Sequence, residues 1–151
     1  MVPASANVLK NFMPLVAQSA RQWRRAIDRQ LQPLGLTEAT WLPLLHLSRS
    51  AHPPRQKDLA SALQLDSSSV VRLLDALQAA GLILREEGQD RRAKTVALTE
   101  AGHATVRQVE DVVDAVRARY LRAVPAADLA TALRVVQQIS AMLTADLEGA
   151  E

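Results

Sequence analysis

Apolar side chains recur every three or four positions along most of this chain, the period of a helix that buries one face. Val16, Ala20, Trp23, Ile27, Leu31 and Leu34 form the first stripe. Pro14 stands where a first helical turn accepts proline, and "PLG" at 33–35 ends the helix. Thr37, followed by Glu38, reads as the N-cap of a second helix through "EATWLPLLHLSRS", with a bend expected at Pro43. After the loop "AHPP", the segment "QKDLASALQL" predicts a short helix with Leu59, Ala60 and Leu63 inward. "DSSSVVRLLDALQAAGL" predicts the next, capped by Asp66 or Ser67. Its stripe is Val70, Leu73, Leu74 and Leu77, and Gly81 is placed just past its end.

Beyond Gly81 the period changes. "LIL" and the β-branched run "TVALT" flank a charged loop at 87–90 and predict the two strands of a hairpin. From Thr99 the helical period returns with Val106, Val109, Val113, Val116 and Tyr120. Pro125 resets the chain, and Leu129, Leu133, Val136, Ile139, Leu143 and Leu147 mark a last long helix. The expected fold is mainly α with a small β-hairpin.

A short helix, a tight turn, a second helix and then a hairpin is the order of a helix-turn-helix with a wing. In such motifs the second helix lies in the major groove, and its first turns meet base edges. Here those turns carry Ser67, Ser68 and Ser69, with Arg72 one turn on. Small hydroxyls permit close approach and bond to bases or phosphates, and an arginine pairs with guanine bidentately. Serines also cap helices well, and that reading stays open. The hairpin segment 81–102 balances Arg85, Arg91, Arg92 and Lys94 against Glu86, Glu87, Asp90 and Glu100. Three of those cations gather at one end of the loop. Arginine suits the narrow, negative minor groove that a wing tip reaches. Arg91 is expected to face DNA, while a carboxylate, either Asp90 or Asp75 on the preceding helix, holds Arg92. The plainer alternative is a solvated charged turn.

Composition narrows the field. The 151 residues are one domain's worth of chain, and 48% apolar content is too high for a disordered one. With aromatics at 3%, the core must be mostly Leu, Val and Ala. The chain has no cysteine, which excludes disulfides, thiolate metal sites and thiol redox sensing. No secretory pattern and no bilayer-length apolar run is visible, so the expected setting is soluble and cytoplasmic. The net charge of +2 hides an asymmetry: residues 1–54 carry six cations and two anions, 55–94 seven and six, 95–151 five and eight. No block is basic enough to announce nucleic acid by itself, so the case rests on arrangement. His46, His52 and His103 are scattered, and no phosphate loop or catalytic triad has local context. Neither an enzyme, a metal site nor a cofactor is expected.

"DLASALQLDSSSVVRLLDALQAAGLILREEGQDRRAKTVALTEAG" resembles the winged helix of the MarR family of bacterial regulators. D-R-R-A-K, then a strand and L-T-E-x-G, is the most specific part. "RQWRRAIDRQLQPLGLTEATWLPLLHL" is similar to the SlyA branch, with Trp-Arg on the first helix and Leu-Thr-x-x-x-Trp opening the second. The likeness covers roughly residues 14 to 148. It implies a MarR-like homodimer reading a pseudo-palindrome, with residues 1–36 and 99–151 in dimerisation and 37–98 as the DNA-binding region. It also implies release of DNA by small aromatic acids. The chain departs from the family's peroxide sensors, which need a cysteine.

The dimer has its own physical reason: two C-terminal apolar stripes exceed what a compact winged helix can cover. For an effector, Trp23 and Trp41 stand near Arg21, Arg24, Arg25, Leu45 and His46. An apolar aromatic wall with a cation suits a small aromatic carboxylate, although each residue taken alone reads as a core anchor or a solvated face. The expected function is a sequence-specific, dimeric DNA-binding repressor weakened by such an acid. The alternative is a winged-helix protein-interaction module without DNA binding. Cations on both the second helix and the wing tip favour the first.

Overall fold

The computed structural model describes residues 5–87 and 94–149. The expected wing-tip residues Asp90, Arg91 and Arg92 lie outside the described residues. The helices are α1 (Ala6–Leu31), α2 (Glu38–Arg49), α3 (Gln56–Ala62), α4 (Ser67–Ala79), α5 (Glu100–Leu121) and α6 (Ala126–Glu148). The strands β1 (Ile83–Glu87) and β2 (Lys94–Leu98) lie between α4 and α5. Packing divides the chain into two compact units, Met1–Asp114 and Ala115–Glu151, with the boundary inside α5. Among the described residues no helix is long and apolar enough to cross a membrane.

In the first unit, α1 begins earlier than its apolar stripe suggests. Ser5 is the N-cap, its hydroxyl accepting from the Val8 amide at 3.4 Å, so Pro14 lies inside the helix and not in its first turn. Proline's fixed φ is helical, so an interior site costs a hydrogen bond without forbidding the helix. Val8, Leu9, Met13 and Leu15 on this early stretch are exposed. A 3-10 turn at Gln32–Leu34 ends at Gly35, whose φ of 72° suits only a residue without a Cβ penalty. Thr37 is the N-cap of α2, but its hydroxyl caps no amide and lies 3.4 Å from that of Thr40.

Leu44, Leu47, Leu59, Val70, Leu74, Leu77, Ile83, Val96 and Val106 form one buried cluster. It takes residues from α2 through α5, so α3, α4 and the hairpin share a core. The strands pair antiparallel with Ile83 opposite Leu98 and Arg85 opposite Val96. Side chains alternate along a strand, so Arg85 shares the core-facing side with buried Ile83, while Leu84 faces out and is exposed. On its other edge, β2 receives the preceding loop: the Val96 amide donates to the Pro54 carbonyl at 3.0 Å.

The L-T-E-x-G sequence is a joint. The Thr99 hydroxyl donates to the Gly81 carbonyl at 2.6 Å and accepts from the Gly102 amide at 3.0 Å, capping α5 onto the end of α4. Gly102 is buried, and a Cβ there would fall far inside contact distance of the Leu82 carbonyl oxygen.

Along α5, Val106, Val109, Val113 and Val116 are all buried within the single chain. That corrects the expectation that both C-terminal stripes are left for a partner. Periodicity reports that a face is covered, not by what. In the second unit the stripe of α6 is uncovered: Leu133, Met142, Leu143 and Leu147 are each more than half exposed.

Candidate nucleic-acid interface

The first turn of α4 is organised by its cap. Asp66 is the N-cap. Its Oδ1 accepts from the Ser69 amide at 2.8 Å and from the Ser68 hydroxyl at 2.6 Å, and its Oδ2 accepts from the Ser69 hydroxyl at 2.7 Å. The Ser68 hydroxyl first, then the Ser69 amide and hydroxyl, hold this carboxyl far below the usual carboxylate range. Between Asp66 and Ser67, the cap is therefore Asp66. Ser68 and Ser69 hydroxyl protons are committed to it, which leaves their oxygens as acceptors. Ser67 and Arg72 are exposed and have no side-chain hydrogen-bond partner among the described residues.

The outward face of α4 runs through Ser67, Ser68, Val71, Arg72 and Asp75, opposite buried Val70, Leu74 and Leu77. Val71 was not singled out from sequence, because a stripe of apolar residues drew Val70 inward and nothing distinguished its neighbour. Asp75 does meet the hairpin, but through Arg85. The Arg85 Nη2 pairs with Asp75 Oδ1, and its Nε donates to Gln78 Oε1 at 2.7 Å. The sequence offers Asp90 or Asp75 as the holder of a wing-tip arginine; among the described residues Asp75 pairs with this strand arginine, which the parity of Ile83 and Arg85 brings against α4. Lys94 is exposed at the start of β2, opposite Glu87 in the ladder.

The tryptophan pair is brought to the junction of α1 and α2, where it serves packing. Trp41 is 1% exposed and its Nε1 donates to Asp28 Oδ1 at 3.3 Å. Arg24 pairs with Glu38 at 3.1 Å. Trp23 is half-buried, Leu45 is buried, and Arg21 and His46 are exposed. An open wall of two indoles is thus corrected to one sealed indole and one partly open. A cavity of about 200 Å³ lies elsewhere, between Leu47, Ser50, His52, Val96, Leu98 and His103. Among the described residues no cluster of three or more His, Asp or Glu could hold a metal ion.

A family model described as MarR family matches residues 34–93, from the end of the 3-10 turn through α2, α3, α4 and β1. The transcriptional regulator PA3341 is 36% identical, with a TM-score of 0.81 over 88% of this chain and 98% of that one. The chain belongs to the MarR family of transcriptional regulators. A MarR-family regulator from Rhodococcus sp. RHA1 is 27% identical, with a TM-score of 0.76 over 89% of this chain and 96% of that one. CouR from Rhodococcus jostii RHA1, solved bound to p-coumaroyl-CoA, is also 27% identical, with a TM-score of 0.75 over 89% and 95%. In this MarR-family chain the winged helix-turn-helix is α3, α4 and the β1–β2 hairpin, tied together by Arg85 and Thr99.

Proposed function

We propose that this chain is a sequence-specific DNA-binding repressor that acts as a homodimer on a pseudo-palindromic operator in the bacterial cytoplasm. The observation that carries this reading is the exposed Ser67–Arg72 face of α4 beside a hairpin rooted on the same helix by Arg85. A helix and a hairpin fixed to each other can enter adjacent grooves as one body. Arg72 is assigned to a guanine edge, Ser67 and the acceptor oxygens of Ser68 and Ser69 to bases or phosphates, and Lys94 to phosphate. Arg91 is assigned to the minor groove, with Arg92 held by Asp90.

The homodimer is supported by exposed apolar side chains on α1 (Val8, Leu9, Met13) and on α6 (Leu133, Leu143, Leu147). Their burial across a two-fold axis would set the two copies of α4 roughly 34–36 Å apart, one turn of DNA. Membership of the SlyA branch rests on Trp23-Arg24 and Leu36-Thr37…Trp41. An aromatic acid or its thioester as effector is supported by p-coumaroyl-CoA on CouR. Its seat is assigned to the exposed side of Trp23 with Arg21 as counter-ion. The cavity beside His52 and His103 favours a second seat.

Selection from a random-sequence duplex library with the full-length protein tests the reading. A two-fold symmetric consensus that the protein shifts in a gel is expected, and Arg91→Ala should abolish the shift with the fold intact. Absence of any enriched duplex would leave the protein-interaction module standing. Salicylate titrated against intrinsic fluorescence locates the effector. Trp23→Phe should remove the signal if the first seat holds, and His103→Ala should remove binding if the second does.

A further inference from the structure

Val71 is 38% exposed on α4, and from Ser67 to Asp75 it is the one apolar residue on the exposed face. Its neighbours there are Ser67 and Ser68 one turn before, Arg72 beside it and Asp75 one turn after. Val71 lies outside the buried cluster and is not packed against it. It adds little to the core, whose share of this helix is taken by Val70, Leu74 and Leu77. A β-branched residue on an exposed helical surface is also a poorer helix former than alanine. What valine supplies is rigidity. In a helix it holds one χ1 rotamer, so two methyl groups stand at a fixed position with almost no side-chain entropy left to lose on contact.

The groups around it are largely claimed. Asp66 takes the hydroxyl protons of Ser68 and Ser69, and Arg85 takes Asp75. Ser67, Val71 and Arg72 remain as a hydroxyl, an apolar knob and a cation. Among base edges in the major groove, the one apolar feature is the C5-methyl of thymine. We infer that Val71 is a specificity-determining residue that reads a thymine methyl group in each half-site, next to the position read by Arg72. The inference rests on the DNA-reading role proposed above for α4.

Deoxyuridine in place of thymidine deletes that methyl and nothing else. The probe is the most enriched duplex from the selection, with each thymine of one half-site replaced in turn. The wild-type protein should lose about fourfold in affinity at one position, the equivalent of one buried methyl group. Val71→Ala should bind the thymine duplex about fourfold more weakly and no longer distinguish it from the deoxyuridine duplex at that position. Its melting temperature should match the wild type, since the site is exposed and alanine favours the helix. Indifference of the wild-type protein to deoxyuridine at every position overturns the assignment, as does a Val71→Ala protein that still discriminates. If no duplex is enriched at all, the DNA-reading role itself falls and takes this inference with it.

Discussion

At the scale of single residues, three positions do work that the residue type alone would not announce. Arg85 spans from β1 to Asp75 and Gln78, a pair whose carboxylate is more than half exposed. Such exposed pairs contribute only about 0–1 kcal/mol. Arg85→Ala should therefore hardly move thermal stability, yet weaken DNA binding by up to about fivefold, the equivalent of that pair, by loosening the hairpin against α4. Unchanged DNA binding would reduce Arg85 to a surface ion pair. Gly102 makes room for the Leu82 carbonyl, and backbone there cannot swing aside. Gly102→Ala should cost about 1–3 kcal/mol in urea denaturation despite alanine's better helix propensity. Asp66 gives a pH signature. Its folded carboxyl titrates well below an unfolded one, so its contribution is complete above the ordinary carboxylate range and fades as pH falls below it. Asp66→Ala should melt lower than wild type at pH 7, and the gap should narrow at pH 3. A gap that does not change with pH would assign the loss to something other than the ionised cap.

At the scale of elements, the helical stripes were legible because one buried face leaves a 3.6-residue period. Val70, Leu74 and Leu77 of α4, and Val106 to Val116 of α5, are buried as that period predicts. The hairpin was legible from the β-branched run at 95–99, where the helical period breaks. What was not legible depends on partners. Pro14 reads as a first-turn residue, but Ser5 had the cap nine positions earlier. The pairing of Asp75 with Arg85 was not legible, because the strand register that points Arg85 inward is a tertiary fact. Trp41 and Arg24 were read as open to a ligand, while Asp28 and Glu38, each an ordinary surface carboxylate in sequence, occupy them. Val113 shows the limit most plainly, since its stripe is closed inside one chain from Val106 to Val116, though not at Tyr120, while that of α6 is open. Val113→Asp should thus unfold the protein at a cost of several kcal/mol. Leu133→Asp or Leu143→Asp should instead give a folded, helical monomer in sedimentation. A native-like dimer carrying either α6 substitution would place the two-fold interface elsewhere.

At the scale of the whole molecule, the proposed repressor would couple an effector to DNA through two arrangements of one dimer. A tenfold loss of DNA affinity needs about 1.4 kcal/mol of coupling, and DNA must weaken the effector by the same factor. Salicylate titrations with and without operator should show that equality, and a ligand indifferent to DNA would not be the signal. All of this stands on α4 reading sequence as half of a dimer. The most direct measurement is fluorescence anisotropy of the enriched duplex and of a scrambled duplex of equal length, with wild type and Arg72→Ala, at about 150 mM salt where non-specific binding is weak. The account predicts that wild type prefers the enriched duplex by at least a hundredfold. It also predicts that Arg72→Ala loses about 1–3 kcal/mol on that duplex while its weak binding to the scrambled one changes far less. Equal affinity of the wild-type protein for both duplexes, or an equal loss on both with Arg72→Ala, would contradict it.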